Sequence, residues 1–277
     1  MLVLPEESVL FISLDSCRYD TAVAAQQAGT IPNLAALGPL HRAHAPSHFT
    51  YGSHACFWMG FTPGVVDSRE PWLNPKAGKL FRMAFAGHGG SDGEQSFQLD
   101  GANLIEGFRR KGYRTLGSGA VDWFNTATAT GAVLADPFEH FFFAGNTWSL
   151  EDQLSWIEKE LHATPVGKPV FVFLNVGETH VPYWHQEAPW PRWPSPCIPF
   201  GGEGCSAPES RRRQRACLAW VDGRLQSLLQ RFAHATTLAC ADHGDCWGED
   251  GLWEHGISHP ATLTVPLWLR VRGRSVA

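Results

Sequence analysis

SVLFISLDS, residues 8–16, is the stretch on which the fold turns. It is short, almost continuously apolar, rich in strand formers, and it stops at a carboxylate, Asp15. A strand buried on both faces of a parallel sheet reads this way, because neither face meets water. Its carboxyl end then opens onto the crevice where such sheets bind ligands. Working outward, the same pattern returns at 114–120 (RTLGSGA), 170–176 (VFVFLNV), 237–241 (TLACA) and 266–271 (PLWLRV). Helix-like segments lie between these runs, at 51–59, 101–111, 149–162 and 210–232. The last carries Leu218, Val221, Leu225, Leu228 and Leu229 on one face. Strands alternating with helices predict an α/β protein with a mostly parallel central sheet and helices on both faces.

A length of 277 residues suits one large domain over 1–277, and no internal repeat or linker divides it. Hydrophobic residues at 44% and charged residues at 18% are too apolar a mixture for disorder. A formal charge of −5 argues against a nucleic-acid partner, whose binding needs a basic face. The basic run at 211–215 reads as the solvated start of a helix. No apolar stretch approaches the roughly 20 residues that span a bilayer, and no basic segment precedes Val9, so neither membrane insertion nor secretion is expected. Seven cysteines without a C-x-x-C pair suggest neither a disulfide framework nor a zinc knuckle, which fits a reducing cytoplasm. A bridge from Cys197 to Cys205 stays open. The glycine-rich run at 87–93 (GHGGSDG) reads as a loop, since no P-loop lysine follows it. The stretch 183–206 is crowded with Pro and Trp, and a loop that long and aromatic is expected to be a structured lid near the site.

Asp15 ends the first strand, and Asp242-His243 ends a later one. Oxygen and nitrogen ligands gathered from separate strand ends are what a borderline divalent ion such as zinc or manganese requires. The plainer alternatives are a helix cap at Asp15 and a turn at Asp242-His243. Thr50 stands at the start of a helix, where unpaired N–H groups and the positive end of the dipole favour an anion. A simple N-cap is the alternative there.

Taken together, the motifs resemble a known family. Asp15-Ser-x-Arg18 follows the N-terminal strand, and Thr50-x-x-Ser-His54 leads to Gly60-x-x-Pro63. His180-x-Pro-Tyr183 comes next, and Asp242-His-Gly244 is followed by Gly248-Glu249 and a further histidine. In this order they resemble the alkaline phosphatase superfamily, especially its sulfatase-like branch. The helix motif from Trp220 and the closing Val265-Pro-Leu267 fit as well, so the resemblance runs from Val9 to Leu267. It implies an alkaline-phosphatase-like three-layer sandwich in which Asp15, Thr50, Asp242 and His243 hold one or two divalent ions, zinc or manganese, with Thr50 as the attacking group.

Ser16 falls where relatives have a second ligand, and a serine is a weak one. His54 falls where sulfatases carry an arginine, and is expected to contact substrate. His180 matches a histidine on the substrate or leaving-group side. His255 matches a substrate lysine or a metal-proximal histidine, and both residues are expected to act in catalysis and binding. His259 either replaces His255 or joins it. Asn175, Glu178 and Asp245 receive no role, and Cys17 is expected to pack.

Sulfatases convert a cysteine or serine to formylglycine, which Thr50 cannot become, so phosphoryl chemistry gains weight over sulfate chemistry. The expectation is a hydrolase of small-molecule phosphate or phosphonate esters working through a phosphothreonine. A phosphotransferase or mutase at the same site, or a binding protein without turnover, are the alternatives. A partly charged His54 in place of arginine weakens the clamp on a dianion, so monoanionic diesters or phosphonate esters are expected at least as readily as monoesters. The chain is short for the superfamily, which leaves the 183–206 loop, or a second subunit in a homo-oligomer, to wall the pocket.

Overall fold

A computed structural model describes residues 4–60 and 103–276; the glycine-rich run at 87–93 lies outside the described residues. The strands are β1 (Val9–Leu14), β2 (His41–His44), β3 (Arg114–Gly119), β4 (His140–Phe143), β5 (Val170–Val176), β6 (Thr236–Ala241), β7 (Cys246–Trp247), β8 (Trp253–Glu254), β9 (Thr264–Val271) and β10 (Arg274–Ser275). The helices are α1 (Tyr19–Gln27), α2 (Pro32–Ala35), α3 (Thr50–Met59), α4 (Leu104–Arg110), α5 (Ala129–Ala135), α6 (Leu150–His162), α7 (Ala207–Arg231) and α8 (Pro260–Leu263).

The main sheet runs β10-β9-β6-β1-β5-β3-β4, with β2 also paired to β9. From β6 to β4 every pairing is parallel. At the other edge β9 runs antiparallel to β6, β2 and β10. The first strand is therefore central, flanked by β5 and β6, and its burial on both faces follows from that place.

Side-chain alternation assigns the two faces. Leu10, Ile12 and Leu14 of β1, with Val172 and Leu174 of β5, pack in one aliphatic cluster with Ala22 of α1, Ile157 of α6 and Leu225 of α7. Phe11, Phe171 and Phe173 point the other way, into an aromatic cluster with Tyr51, Ala55 and Trp58 of α3 and Ile105 of α4. Helices thus cover both faces, as the three-layer expectation requires. Trp58 meets Phe173 edge to face at a centroid separation of 4.8 Å, and such pairs add about 0.5–1.5 kcal/mol beyond area burial.

The expected strands and helices are present with ends shifted by a few residues. The long helix begins at Ala207 rather than 210, capped by the Ser206 hydroxyl, which accepts from the Glu209 N–H. The basic run sits in its first turns, where Glu209 pairs with Arg212 and Arg213. The stretch 183–206 has no helix or strand, yet it builds a small core of Tyr183, Trp190 and Cys197 against Cys217 of α7 and Trp247 of β7. All seven cysteines are free, Cys197 and Cys205 among them. No helix among the described residues is long and apolar enough to cross a membrane.

Candidate active site

The parallel register brings the carboxyl ends of β1, β5 and β6 side by side, pairing Ser13 with Asn175 and Leu14 with Ala241. Asp15 and Asp242 are the residues that follow, and both are fully buried. Ser16 adopts a positive φ of 59° and turns its backbone N–H onto Asp242 Oδ1 at 3.2 Å. The His243 N–H adds a second bond to the same oxygen at 2.9 Å. The other oxygen, Asp242 Oδ2, has no hydrogen-bond partner although it is buried. Asp15 Oδ2 accepts from the Asn175 amide at 3.1 Å, and Asp15 Oδ1 accepts from the Ser16 hydroxyl at 3.3 Å. Ser16 is thus a brace between the two carboxylates.

Thr50 is the first residue of α3. The N-cap is Phe49, with no side-chain cap bond, so the Thr50 hydroxyl is not used as a cap. Its Oγ1 lies 3.3 Å from His243 Nε2 and 3.5 Å from Asp15 Oδ2. Nδ1 of His243 donates to the Gly244 carbonyl at 3.0 Å, which leaves Nε2 as the bare nitrogen facing Thr50. A Cβ at Gly244 would come within 2.3 Å of the Ala261 carbonyl oxygen, so only glycine lets the loop close here.

The electrostatics favour a cation at this place. Burial, and then the charge of Asp15, push the Asp242 carboxyl well above its usual range. Burial, and then the charge on His255, lower His243 to about 3, so its imidazole is neutral and able to ligate. Ligand atoms of Asp15, Asp242 and His243 lie within 4.8 Å of one another. Two carboxylates, a neutral imidazole, a hydroxyl and one orphaned carboxylate oxygen fit a borderline divalent cation.

A second group lies alongside: His243, Asp245 and His255 also bring ligand atoms within 4.8 Å. His255 Nδ1 donates to Asp245 Oδ1 at 2.7 Å. Burial works against charge on His255, but the bond to Asp245 and that carboxylate's charge override it and raise its pKa to about 9. His180 donates from Nδ1 to the Val181 carbonyl at 2.9 Å and meets the His255 ring at a centroid distance of 5.0 Å. The His255 ring is in turn 4.6 Å from that of His243. Asp15, Thr50, Asp242, His243, His180 and His255 are therefore brought together.

His54 stands behind Asp242, its Nδ1 3.7 Å from Asp242 Oδ2. The ring is fully buried and enclosed by Phe57, Trp58, Phe124 and Phe173 at centroid distances of 5.0–5.9 Å. Nδ1 donates to the Thr50 carbonyl at 2.8 Å, and Nε2 lies 3.1 Å from the Ser13 hydroxyl. Burial lowers its pKa to about 4. A neutral ring with both nitrogens engaged braces the first turn of α3 against β1. His259 is outside the site: it caps α8, accepting from the Ala261 N–H at 3.0 Å, with Nε2 3.2 Å from Asp250. Cys17 is buried and its thiol pKa is pushed well up by burial, as a packing residue's would be.

Three contributors carry no role that their sequence context reveals. Asn175 positions Asp15. Gln214 of α7 donates to the carbonyls of Ser16 and Thr179, tying two site loops to one helix. Asp245 holds His255. A polar residue inside an otherwise apolar strand is the available signal for Asn175; nothing local marks Gln214.

No family model matches the chain, and no curated protein matches it. Solved structures do. The integral membrane lipooligosaccharide phosphoethanolamine transferase A, EptA, from Neisseria meningitidis is 15% identical with a TM-score of 0.62, over 96% of this chain and 48% of that one. This chain thus spans about half the length of EptA. The C-terminal periplasmic domain of EptC from Escherichia coli, in complex with zinc, is 13% identical with a TM-score of 0.61, over 96% of this chain and 73% of that one. The phosphonate monoester hydrolase of Agrobacterium radiobacter is 16% identical with a TM-score of 0.63, over 98% of this chain and 70% of that one.

Proposed function

Because the chain has the fold of the alkaline phosphatase superfamily in its sulfatase-like form, we propose that it is a metal-dependent enzyme hydrolysing phosphate-type esters through Thr50. One observation carries the proposal: a buried hydroxyl at a helix N-terminus lies within 3.5 Å of an imidazole and a carboxylate drawn from distant parts of the chain. Asp15, Thr50, Asp242 and His243 would hold the ion. Zinc or manganese bound there supplies Lewis acidity, which lowers the pKa of a hydroxyl that is otherwise too weak a nucleophile. The zinc complex of the EptC domain supports zinc.

The chain's own residues do the rest. The first turn of α3 presents Thr50 Oγ1 and the dipole's positive end to the phosphoryl group. As the Oγ1–phosphorus bond forms, the bond to the ester's leaving oxygen breaks, and that oxygen takes a proton from His255, with His180 beside it as a further contact. Water then attacks the phosphothreonine: its oxygen bonds phosphorus as the Oγ1–phosphorus bond breaks, and its proton returns to His255, which restores the starting state. With His54 neutral and buried, no arginine-like clamp comes from α3, which supports phosphodiesters and phosphonate esters as substrates at least as well as monoesters. The seven unpaired thiols are compatible with a reducing compartment, and we place the enzyme in the cytoplasm.

The test compares aryl diester, phosphonate ester, monoester and sulfate ester turnover by protein stripped of metal and reloaded with zinc or manganese. Metal-dependent turnover of phosphate-type esters, with phosphothreonine trapped at Thr50 by mass spectrometry, is expected. Dominant sulfate turnover, or turnover indifferent to metal, would overturn the proposal. The phosphoethanolamine transferases among the similar structures favour a second reading, transfer to an acceptor alcohol. Under that reading an added alcohol raises product formation at the expense of free phosphate.

A further inference from the structure

A chain of hydrogen bonds runs behind His255. The Trp247 indole N–H donates to the Tyr183 hydroxyl oxygen at 2.8 Å. The Tyr183 hydroxyl donates to Asp245 Oδ2 at 2.7 Å, and Asp245 Oδ1 accepts from His255 Nδ1 at 2.7 Å. Trp247, Tyr183 and Asp245 are all buried. The direction of the chain is forced from its far end. An indole nitrogen can only donate, so the Tyr183 oxygen must use a lone pair there and spend its proton on Asp245. That leaves the outer oxygen of Asp245 to take the Nδ1 proton of His255. The ring is thereby fixed in rotation, and Nε2 is its one nitrogen without a protein partner among the described residues.

We propose that Asp245 is the positioning residue of the leaving-group side, held by Tyr183 and Trp247 so that it turns His255 Nε2 onto the ester oxygen. The assignment rests on the phosphoryl-transfer reading above. It also gives the Trp- and Pro-rich stretch a task, because Tyr183 opens that stretch and Trp247 belongs to its small core. In the step concerned, Thr50, its hydroxyl proton already given up to solvent, forms the Oγ1–phosphorus bond while the phosphorus–oxygen bond of the ester breaks. The departing oxygen takes the proton from Nε2, and the ring stays bonded through Nδ1–H to Asp245.

Asp245→Asn, Tyr183→Phe and His255→Ala, each with its metal content measured, are assayed on two diesters differing only in leaving group: phenoxide, a poor one, and 2,4-dinitrophenoxide, which departs without a proton. On the phenyl ester, His255→Ala and Asp245→Asn are expected to lower kcat about 100-fold, within the usual range for a general acid, with KM little changed. On the dinitrophenyl ester the loss shrinks to a few-fold. Tyr183→Phe shows a weaker version of the same split. In wild type, long-range nitrogen–proton NMR of the histidine ring shows a bonded Nδ1 proton on His255, and Asp245→Asn loses or shifts it. Equal losses on both esters, or wild-type rates in Asp245→Asn, overturn the positioning role alone. A wild-type protein inert on both esters overturns the reading of function on which it rests.

Discussion

Oγ1 of Thr50 lies 3.3 Å from Nε2 of His243, although 193 residues separate the two along the chain. Neither atom is used by its own element: Phe49 is the cap of α3, and the His243 ring bonds the backbone through its other nitrogen. A hydroxyl and a bare nitrogen held together in a fully buried place need a chemical reason. Thr50→Ala is expected to reduce turnover of an aryl diester at least ~1,000-fold, the scale on which a lost nucleophile is felt. Thr50→Ser, which keeps the hydroxyl, retains measurable activity, and steady-state kinetics on both variants separate the two outcomes.

The orphaned oxygen of Asp242 makes a prediction about stability. Asp242 is buried beside Asp15, and both burial and that neighbour oppose its ionisation. A bound cation relieves the conflict. Zinc at a hundred times its dissociation constant should stabilise the wild type by about 2.7 kcal/mol, read as a rise in Tm over chelated protein. Asp242→Asn removes the repulsion and a ligand together. Its metal-free Tm is expected to exceed that of metal-free wild type, and zinc no longer raises it.

Asn175 reaches Asp15 with its amide nitrogen and accepts the Ala120 N–H with its oxygen, each at 3.1 Å. Asn175→Ala therefore removes the amide that orients Asp15 Oδ2 and leaves the Ser16 hydroxyl on the other oxygen. Metal affinity is expected to fall about 10- to 100-fold, the usual cost of losing a partner that orients a ligand, while saturating zinc restores much of the rate. Competition with a chelator of known affinity measures the first effect.

Glu178 predicts a pH dependence of stability. Burial raises its carboxyl to about 7, and the Leu150 N–H bonded at 3.0 Å only partly offsets this. Its second oxygen has no partner. Between the ordinary carboxyl pKa and about 7, the folded chain holds this proton while the unfolded chain releases it. The folded state binds more protons there, so stability falls as pH rises through that window and levels off above it. A tenfold difference in proton affinity between the two states corresponds to about 1.4 kcal/mol, so the loss is on the order of 3 kcal/mol. Glu178→Gln should flatten the profile in denaturant titrations across this pH range.

Much of this architecture can be read from residues alone, for identifiable reasons. β1 and β5 are buried on both faces, so their apolar runs need no partner to be recognised. β2 and β4 are short, and β2 (HRAH) carries charge, so neither announces itself as a strand. The antiparallel course of β9 is a property of topology and leaves no mark in composition. At the site, the carboxylates and Thr50 are legible because they end strands or begin a helix.

His54 reads two ways, because its spacing from Thr50 suggests a clamp while its neighbours suggest a core. On a helix the residue four positions on sits about one turn above, and here that face turns to the sheet with Phe57 and Trp58. The apolar run from Ala55 to Trp58 carries that information. Asp245 and Gln214 are invisible for another reason: their work is to hold other residues, and nothing in local sequence distinguishes such a role.

The most direct test of a metal-activated Thr50 is a crystal structure of zinc-loaded protein with anomalous data collected at the zinc edge. The expected result is a peak about 2.0–2.2 Å from Oγ1 of Thr50 and from ligand atoms of Asp15, Asp242 and His243, with zinc–ligand distances in the usual range. A fully loaded crystal with the zinc peak elsewhere, and Thr50 out of coordinating distance, would contradict it.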